Sequence, residues 1–196
     1  MNQSIKVRRL LLVDDEANVL SALQRLLRQH LGATVKVDTF NDPLLALQDA
    51  NRHAWDVVLT DYRMPGLNGL DFLRKLVKVQ PDIVRMVLSA SADLPTVLDA
   101  VNDVGVFRYL VKPWQPEQLV SHVVRALQHS QELRAQRTLA DEMRVQRGEL
   151  GAAELERRRL EAIEPGITHV EWGPNGEVLM PSSLLGLDEG SGGAAQ

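Results

Sequence analysis

The chain has 196 residues, a net charge of -4 at pH 7 and no cysteine. That length suits one domain plus an extension. The absence of cysteine excludes a disulfide framework and thiolate metal sites, and the acidic balance weighs against nucleic acid as the main ligand. The first residues, MNQSIKVRRLLLVDDE, place basic groups ahead of an apolar run from Leu10 to Val13 that is too short for a secretory segment. No other run is long enough to span a bilayer, so a cytoplasmic protein without membrane contact is expected.

Leu10 to Val13 reads as a short buried strand ending in Asp14, Asp15 and Glu16, and Val19, Leu20, Leu23, Leu26 and Leu27 then recur at helical spacing. Thr34 to Phe40 alternates Val35 and Val37 with polar residues, and Asp42-Pro43 opens a helix to about His53. In DVVLTDYRMPGLNG, from Asp56 to Gly69, the apolar Val57, Val58 and Leu59 lead straight to Asp61, and Pro65 and Gly66 mark a turn. A helix is expected from about Gly69 to Val79, stopped by Pro81. Val84 to Leu88 runs into Ser89, Ala90 and Ser91, with a helical stretch from Leu94 to Asp103 behind it. Val106 to Val111 is the last strand of the series; it ends at Lys112, and Pro116 suits the first turn of the next helix.

Strand and helix signals alternating in this way imply an α/β fold, a doubly wound parallel sheet with helices on both faces. All the strand ends then share one rim, the edge at which open α/β sheets bind ligands. On it stand Asp14 and Asp15, Asp61, Ser89 and Lys112. Taken singly, each has an ordinary reading: an Asp starting a turn, a Ser capping a helix, a solvated Lys. Together they form a chemical set. Three carboxylates brought close repel one another and call for a cation. A hard divalent ion such as Mg2+, which keeps waters and takes phosphate oxygens, matches a shallow acidic cluster. Asp is also a nucleophile toward phosphoryl groups, and Lys112, the ion and the Ser89 hydroxyl would meet the charge on the transferring oxygens.

LLLVDDE, DVVLTDYRMPGLNGLDFL, VLSAS and FRYLVKPW together resemble the receiver domain of bacterial two-component response regulators, from Lys6 to about Leu127. The resemblance implies a flavodoxin-like sheet of five parallel strands in the order 2-1-3-4-5. It also implies that Asp61 accepts a phosphoryl group from a histidine kinase, making the protein a signalling switch and not a turnover enzyme. Asp15, Asp61 and the backbone carbonyl of Arg63 would ligate magnesium, with Asp14 helping through water. Lys112 would contact the phosphoryl group, Ser89 would move toward it, and Tyr109 would be the aromatic that turns inward in response. Family members usually have a cis bond where Lys112-Pro113 stands; Ser89 replaces the commoner Thr, and Arg63 places a long cation beside the site.

Beyond residue 127 a helical extension is expected over 128–164, with Leu139, Met143, Leu150, Ala153 and Leu160 forming a heptad seam that Gln146, Gly148, Gly151 and Arg157 weaken. Such a polar helix gains stability by pairing, so the extension is read as a coiled coil in a homodimer formed through the receiver and the helix, with a frayed linker as the competing reading. ITHVEW-GPNG-EVLM then signals a β-hairpin within 165–196, followed by a flexible tail. Output would pass by dimerisation or by docking a downstream protein. The alternatives are an adaptor steering a separate effector, such as a cyclic-dinucleotide enzyme or a transcription factor, and an Asp-nucleophile phosphatase. The phosphatase would need a general acid at the position of Arg63. No helix-turn-helix pattern follows the receiver, which leaves DNA binding without support.

Overall fold

The structure is a computed structural model that describes residues 7–90 and 104–163, together with 167, 171–172 and 178–179. The helix expected from Leu94 to Asp103, the turn of the expected hairpin and the tail lie outside the described residues.

The elements run β1 (Arg8–Val13), α1 (Ala17–Leu31), a short 3-10 turn, β2 (Val35–Phe40), α2 (Pro43–Asp49), β3 (Val57–Asp61), α3 (Gly69–Val79), β4 (Val84–Ala90) and β5 (Arg108–Lys112). Two more helices follow, the long α4 (Pro116–Gln146) and the shorter α5 (Ala152–Ile163). The first five strands pair in the order β2-β1-β3-β4-β5, all parallel, the order that the resemblance implies.

Strand alternation assigns the two cores. Leu10 and Leu12 of β1 join Val57, Leu59, Met86 and Leu88 on the face covered by α1 and α4, where Leu23, Leu27, Val123 and Leu127 complete the packing. Leu11, Val13, Val58 and Val87 point the other way, onto Leu70, Leu73 and Leu76 of α3 and Ala46 of α2. All of β3 is buried, the expected burial of a strand covered on both faces. Asp61 therefore stands on a rigid platform. The helix after it is fixed by a reciprocal cap: Asn68 Oδ1 accepts the Asp71 N–H at 2.9 Å, and Asn68 Nδ2 donates to Asp71 Oδ2 at 2.7 Å. Asn68→Ala is expected to lower the unfolding free energy by about 1 kcal/mol, read from the urea midpoint. An unchanged midpoint would mean that the cap contributes nothing.

Helix α2 ends at Asp49, short of the expected His53, because the buried Gln80 claims the chain beyond it. Gln80 Nε2 donates to the Ala50 carbonyl at 2.8 Å and the His53 carbonyl at 2.6 Å, so a side chain satisfies these acceptors in place of further helical turns, although the His53 N–H still donates to the Asp49 carbonyl at 3.0 Å.

The extension also departs from expectation. The long helix is there, but it stops at Gln146, not Glu164. Gly148 follows with φ 73°, a left-handed conformation that favours glycine and turns the chain out of the helix. The heptad seam is accordingly split: Leu139 and Met143 lie on α4, Leu160 lies on α5, all three are exposed, and Leu150 is buried in the turn. Helix α5 folds back on α4 instead, where Arg158 reaches the buried Asp141 at 3.0 Å. Residue 127 falls inside α4, which remains packed on the core through Leu133. Beyond the core, α4 is pinned to the sheet's lower edge by Arg134 to Asp56 at 3.0 Å and by Arg137 to Asp82. Further on, β6 (Glu171–Trp172) pairs antiparallel with β7 (Val178–Leu179). Among the described residues no helix is long and apolar enough to cross a membrane.

Candidate functional site

The ends of β1, β3 and β5 converge. Lys112 Nζ, carried by the last residue of β5, lies 2.6 Å from Asp61 Oδ1 at the end of β3 and 2.9 Å from Asp14 Oδ2 just past β1. Glu16 Oε1 is more distant, at 4.0 Å. The two partner carboxylates are buried, Asp14 to 1% and Asp61 to 5% exposure, so the single ammonium is their main compensation. Lys112-Pro113 is cis, in keeping with the sequence expectation.

Each acid is held by its own backbone surroundings. Asp14 Oδ1 accepts the Glu16 N–H at 2.9 Å, closing the turn into α1. Asp61 accepts the backbone N–H of Arg63. Its strand is locked by the Tyr62 N–H donating to the Leu88 carbonyl at 2.8 Å and by Thr60 Oγ1 donating to the Asp61 carbonyl at 3.1 Å. Asp15 and Arg63 are exposed at the mouth of the site.

Burial pushes the Asp61 carboxyl above the usual carboxylate range. The Lys112 hydrogen bond and charge oppose that rise, and the neighbouring Asp14 carboxylate adds to it. For Lys112 burial works to lower the value, but the hydrogen bonds and charges of Asp61 and Asp14 outweigh it and the net direction is upward. The lysine therefore remains an ammonium at neutral pH, with one positive charge set against two buried carboxylates.

Ser89 lies in β4 and not beyond its end, one residue after Leu88, the register partner of Asp61. It is buried to 1% exposure, and its Oγ is 3.5 Å from the Ala90 carbonyl. Tyr109 Oη donates to the same carbonyl at 3.2 Å from a half-buried position in β5. The Ala90 carbonyl thus links the two hydroxyls.

The sequence reading missed Gly69. Its N–H donates to the Tyr62 carbonyl at 2.9 Å, and a Cβ on it would lie 2.1 Å from the Asp61 carbonyl oxygen and 3.1 Å from Tyr62 Cα. The available signal was a glycine in the first turn of a helix whose cap was already supplied by Asn68.

Among the described residues no group of three or more His, Cys, Asp or Glu side chains is arranged as a metal cage. The donor chemistry nevertheless fits a hard cation: oxygen ligands alone, with residual negative charge after Lys112 is counted. A buried nucleophilic carboxylate, an adjacent ammonium and a hydroxyl on the next strand are together suited to receiving a phosphoryl group.

Residues 10–124 match the family model of the response regulator receiver domain. The chain is 36% identical over 119 residues to the hydrogenase transcriptional regulatory protein HoxA of Bradyrhizobium diazoefficiens, covering 61% of this chain and 24% of that protein. It is 30% identical over 183 residues to the cyclic di-GMP phosphodiesterase response regulator RpfG of Xanthomonas campestris pv. campestris, covering 91% of this chain and 48% of that one. The chain thus spans only about a quarter to a half of the length of these curated relatives. The signal receiver domain of an HD domain-containing protein from Pseudomonas fluorescens Pf-5 superposes with a TM-score of 0.60 at 28% identity, over 65% of this chain and 99% of that domain.

Proposed function

The chain belongs to the response regulator receiver family of two-component signal transduction, and from that premise we propose that Asp61 is its phosphoacceptor. The observation that carries the reading is the Asp61–Lys112–Asp14 triad at the converging strand ends. An Asp61 carboxylate oxygen attacks the phosphorus of a phosphohistidine on a histidine kinase. The P–N bond breaks, the imidazole leaves with a proton, and an acyl phosphate forms on Asp61. Lys112 follows the charge from the carboxylate to the phosphoryl oxygens. Asp14, Asp15, Asp61 and the carbonyl of Arg63 would hold magnesium, which supplies the remaining positive charge for those oxygens when bound.

A phosphoryl oxygen is a stronger acceptor than the Ala90 carbonyl, so the Ser89 hydroxyl transfers to it and leaves that carbonyl to Tyr109. The switch thereby reaches β5 and the face beside it. Output passes to a downstream protein, with a homodimer as one route. The match to RpfG extends through most of the extension, which favours the second reading: an adaptor that steers a cyclic-dinucleotide effector. It does not favour a transcription factor.

The test is incubation with acetyl phosphate and Mg2+, followed by scoring of hydroxylamine-labile phosphate. Uptake is expected on the peptide carrying Asp61, with Ser89→Ala retaining it while losing the downstream response. Absence of labile phosphate on that peptide would defeat the assignment.

A further inference from the structure

At the end of the sheet opposite Asp61, a cavity of about 590 Å³ lies between the receiver's lower edge and the α4–α5 hairpin. Its apolar lining comes from both sides: Val79 and Ile83 at the α3–β4 junction, Leu155 and Ile163 on α5. Its charged lining residues are Arg134, Arg137, Arg158 and Arg159 alongside Asp82, Asp141 and Glu161. We infer that this cavity is a binding site for a small organic anion with an apolar body, held between the receiver and the folded-back hairpin.

Size and placement agree with that assignment. Sites for small organic ligands occupy about 300–1,000 Å³, are mostly apolar with a few convergent polar groups, and favour the junction between structural units. The sign of the ligand follows from the guanidiniums. Arg134 and Arg137 are engaged by Asp56 and Asp82, one carboxylate each, and a guanidinium has five N–H donors of which one carboxylate uses only part; Arg158 is held by both Asp141 and Glu154, each at 3.0 Å. Arg159 is held most loosely, 3.8 Å from Glu142 with half its side chain exposed, and is the group best able to turn to an incoming anion. Inorganic phosphate would leave the apolar walls wet, and a neutral hydrocarbon would leave Arg159 with only its distant Glu142 partner. An amphipathic anion satisfies both.

The site is independent of phosphoryl chemistry, and so is its test. The full chain, without phosphodonor, is titrated with 1-anilinonaphthalene-8-sulfonate as an apolar anion and with N-phenyl-1-naphthylamine as its uncharged counterpart. Saturable one-site binding of the sulfonate is expected, with the neutral probe weaker. Thr138→Trp, which directs an indole into the cavity from an exposed position on α4, is expected to weaken the sulfonate at least about tenfold, a change of about 1.4 kcal/mol. Arg159→Glu is expected to weaken it by a similar factor without affecting the neutral probe, and as an exposed substitution it decides the matter even if the Trp variant misfolds. Binding that does not saturate, binding unchanged in both variants, or equal affinity for both probes would overturn the inference.

Discussion

Asp61→Asn is expected to abolish phosphoryl uptake from acetyl phosphate and, in the same variant, to make the resting protein more stable at neutral pH. The first effect follows from the loss of a nucleophilic carboxylate, since an amide neither attacks phosphorus nor forms an acyl phosphate. The second follows from the electrostatics of the site. Burial and the Asp14 carboxylate raise the Asp61 pKa above the ordinary value of 3.8, so its charged form is held at a cost in the folded protein. A group with a raised folded-state pKa binds its proton more tightly in the native state, and the wild-type protein therefore loses stability as pH climbs from 3.8 through the raised value. The Asn variant bears no such loss and keeps Lys112 paired with Asp14 at 2.9 Å. Urea midpoints measured across that range should coincide on the acid side and separate toward neutrality, the variant standing higher. A variant less stable at pH 7 would mean that the Lys112 bond to Asp61 outweighs the burial cost. Residual labile phosphate would point to a second acceptor.

The parts of this fold legible in the sequence are those whose signal is local. Leu10 to Val13 and Val57 to Leu59 are apolar runs punctuated at once by acids, so strand and rim are read together, and α3 runs from Gly69 to Val79 as its periodicity and Pro81 require. The convergence of Asp14, Asp61 and Lys112 follows from parallel topology, because strands that run the same way end on the same side. What escaped depends on contacts between distant residues. The end of α2 is decided by Gln80, and the retained position of α4 by Asp56 and Asp82. The apolar spacing from Leu139 to Leu160 survives the insertion of a turn, and only the left-handed Gly148 and the buried Asp141 show that the helix reverses. Gly69 escaped for a related reason: its backbone is ordinary helix, and the constraint on it comes from Asp61 across space.

That constraint makes Gly69→Ala the most informative conservative substitution in the chain. The added Cβ would meet the Asp61 carbonyl oxygen at 2.1 Å, its carbon at 3.0 Å and Tyr62 Cα at 3.1 Å, all backbone atoms with no rotamer by which to yield. Either the start of α3 or the end of β3 must move. Of the two, β3 is paired on both sides, to β1 and β4, and its residues are buried, so the strain falls first on the 62–68 turn and the helix entry. Overpacking of this kind costs about 1–3 kcal/mol, which a domain with two cores tolerates, so the variant is expected to fold. Its chemistry is not expected to survive intact. The same turn carries Arg63, whose N–H holds the Asp61 carboxylate and whose carbonyl is a proposed magnesium ligand. A displacement of about 1 Å in a positioned reacting group can cost on the order of a hundredfold in rate. The initial rate of acetyl phosphate-driven uptake should fall by about ten- to a hundredfold in Gly69→Ala, with magnesium affinity falling alongside it. A rate within twofold of wild type, in a variant whose urea midpoint has dropped, would show that the turn absorbs the Cβ without moving the acceptor, and would separate the stability role of Gly69 from the chemistry of Asp61.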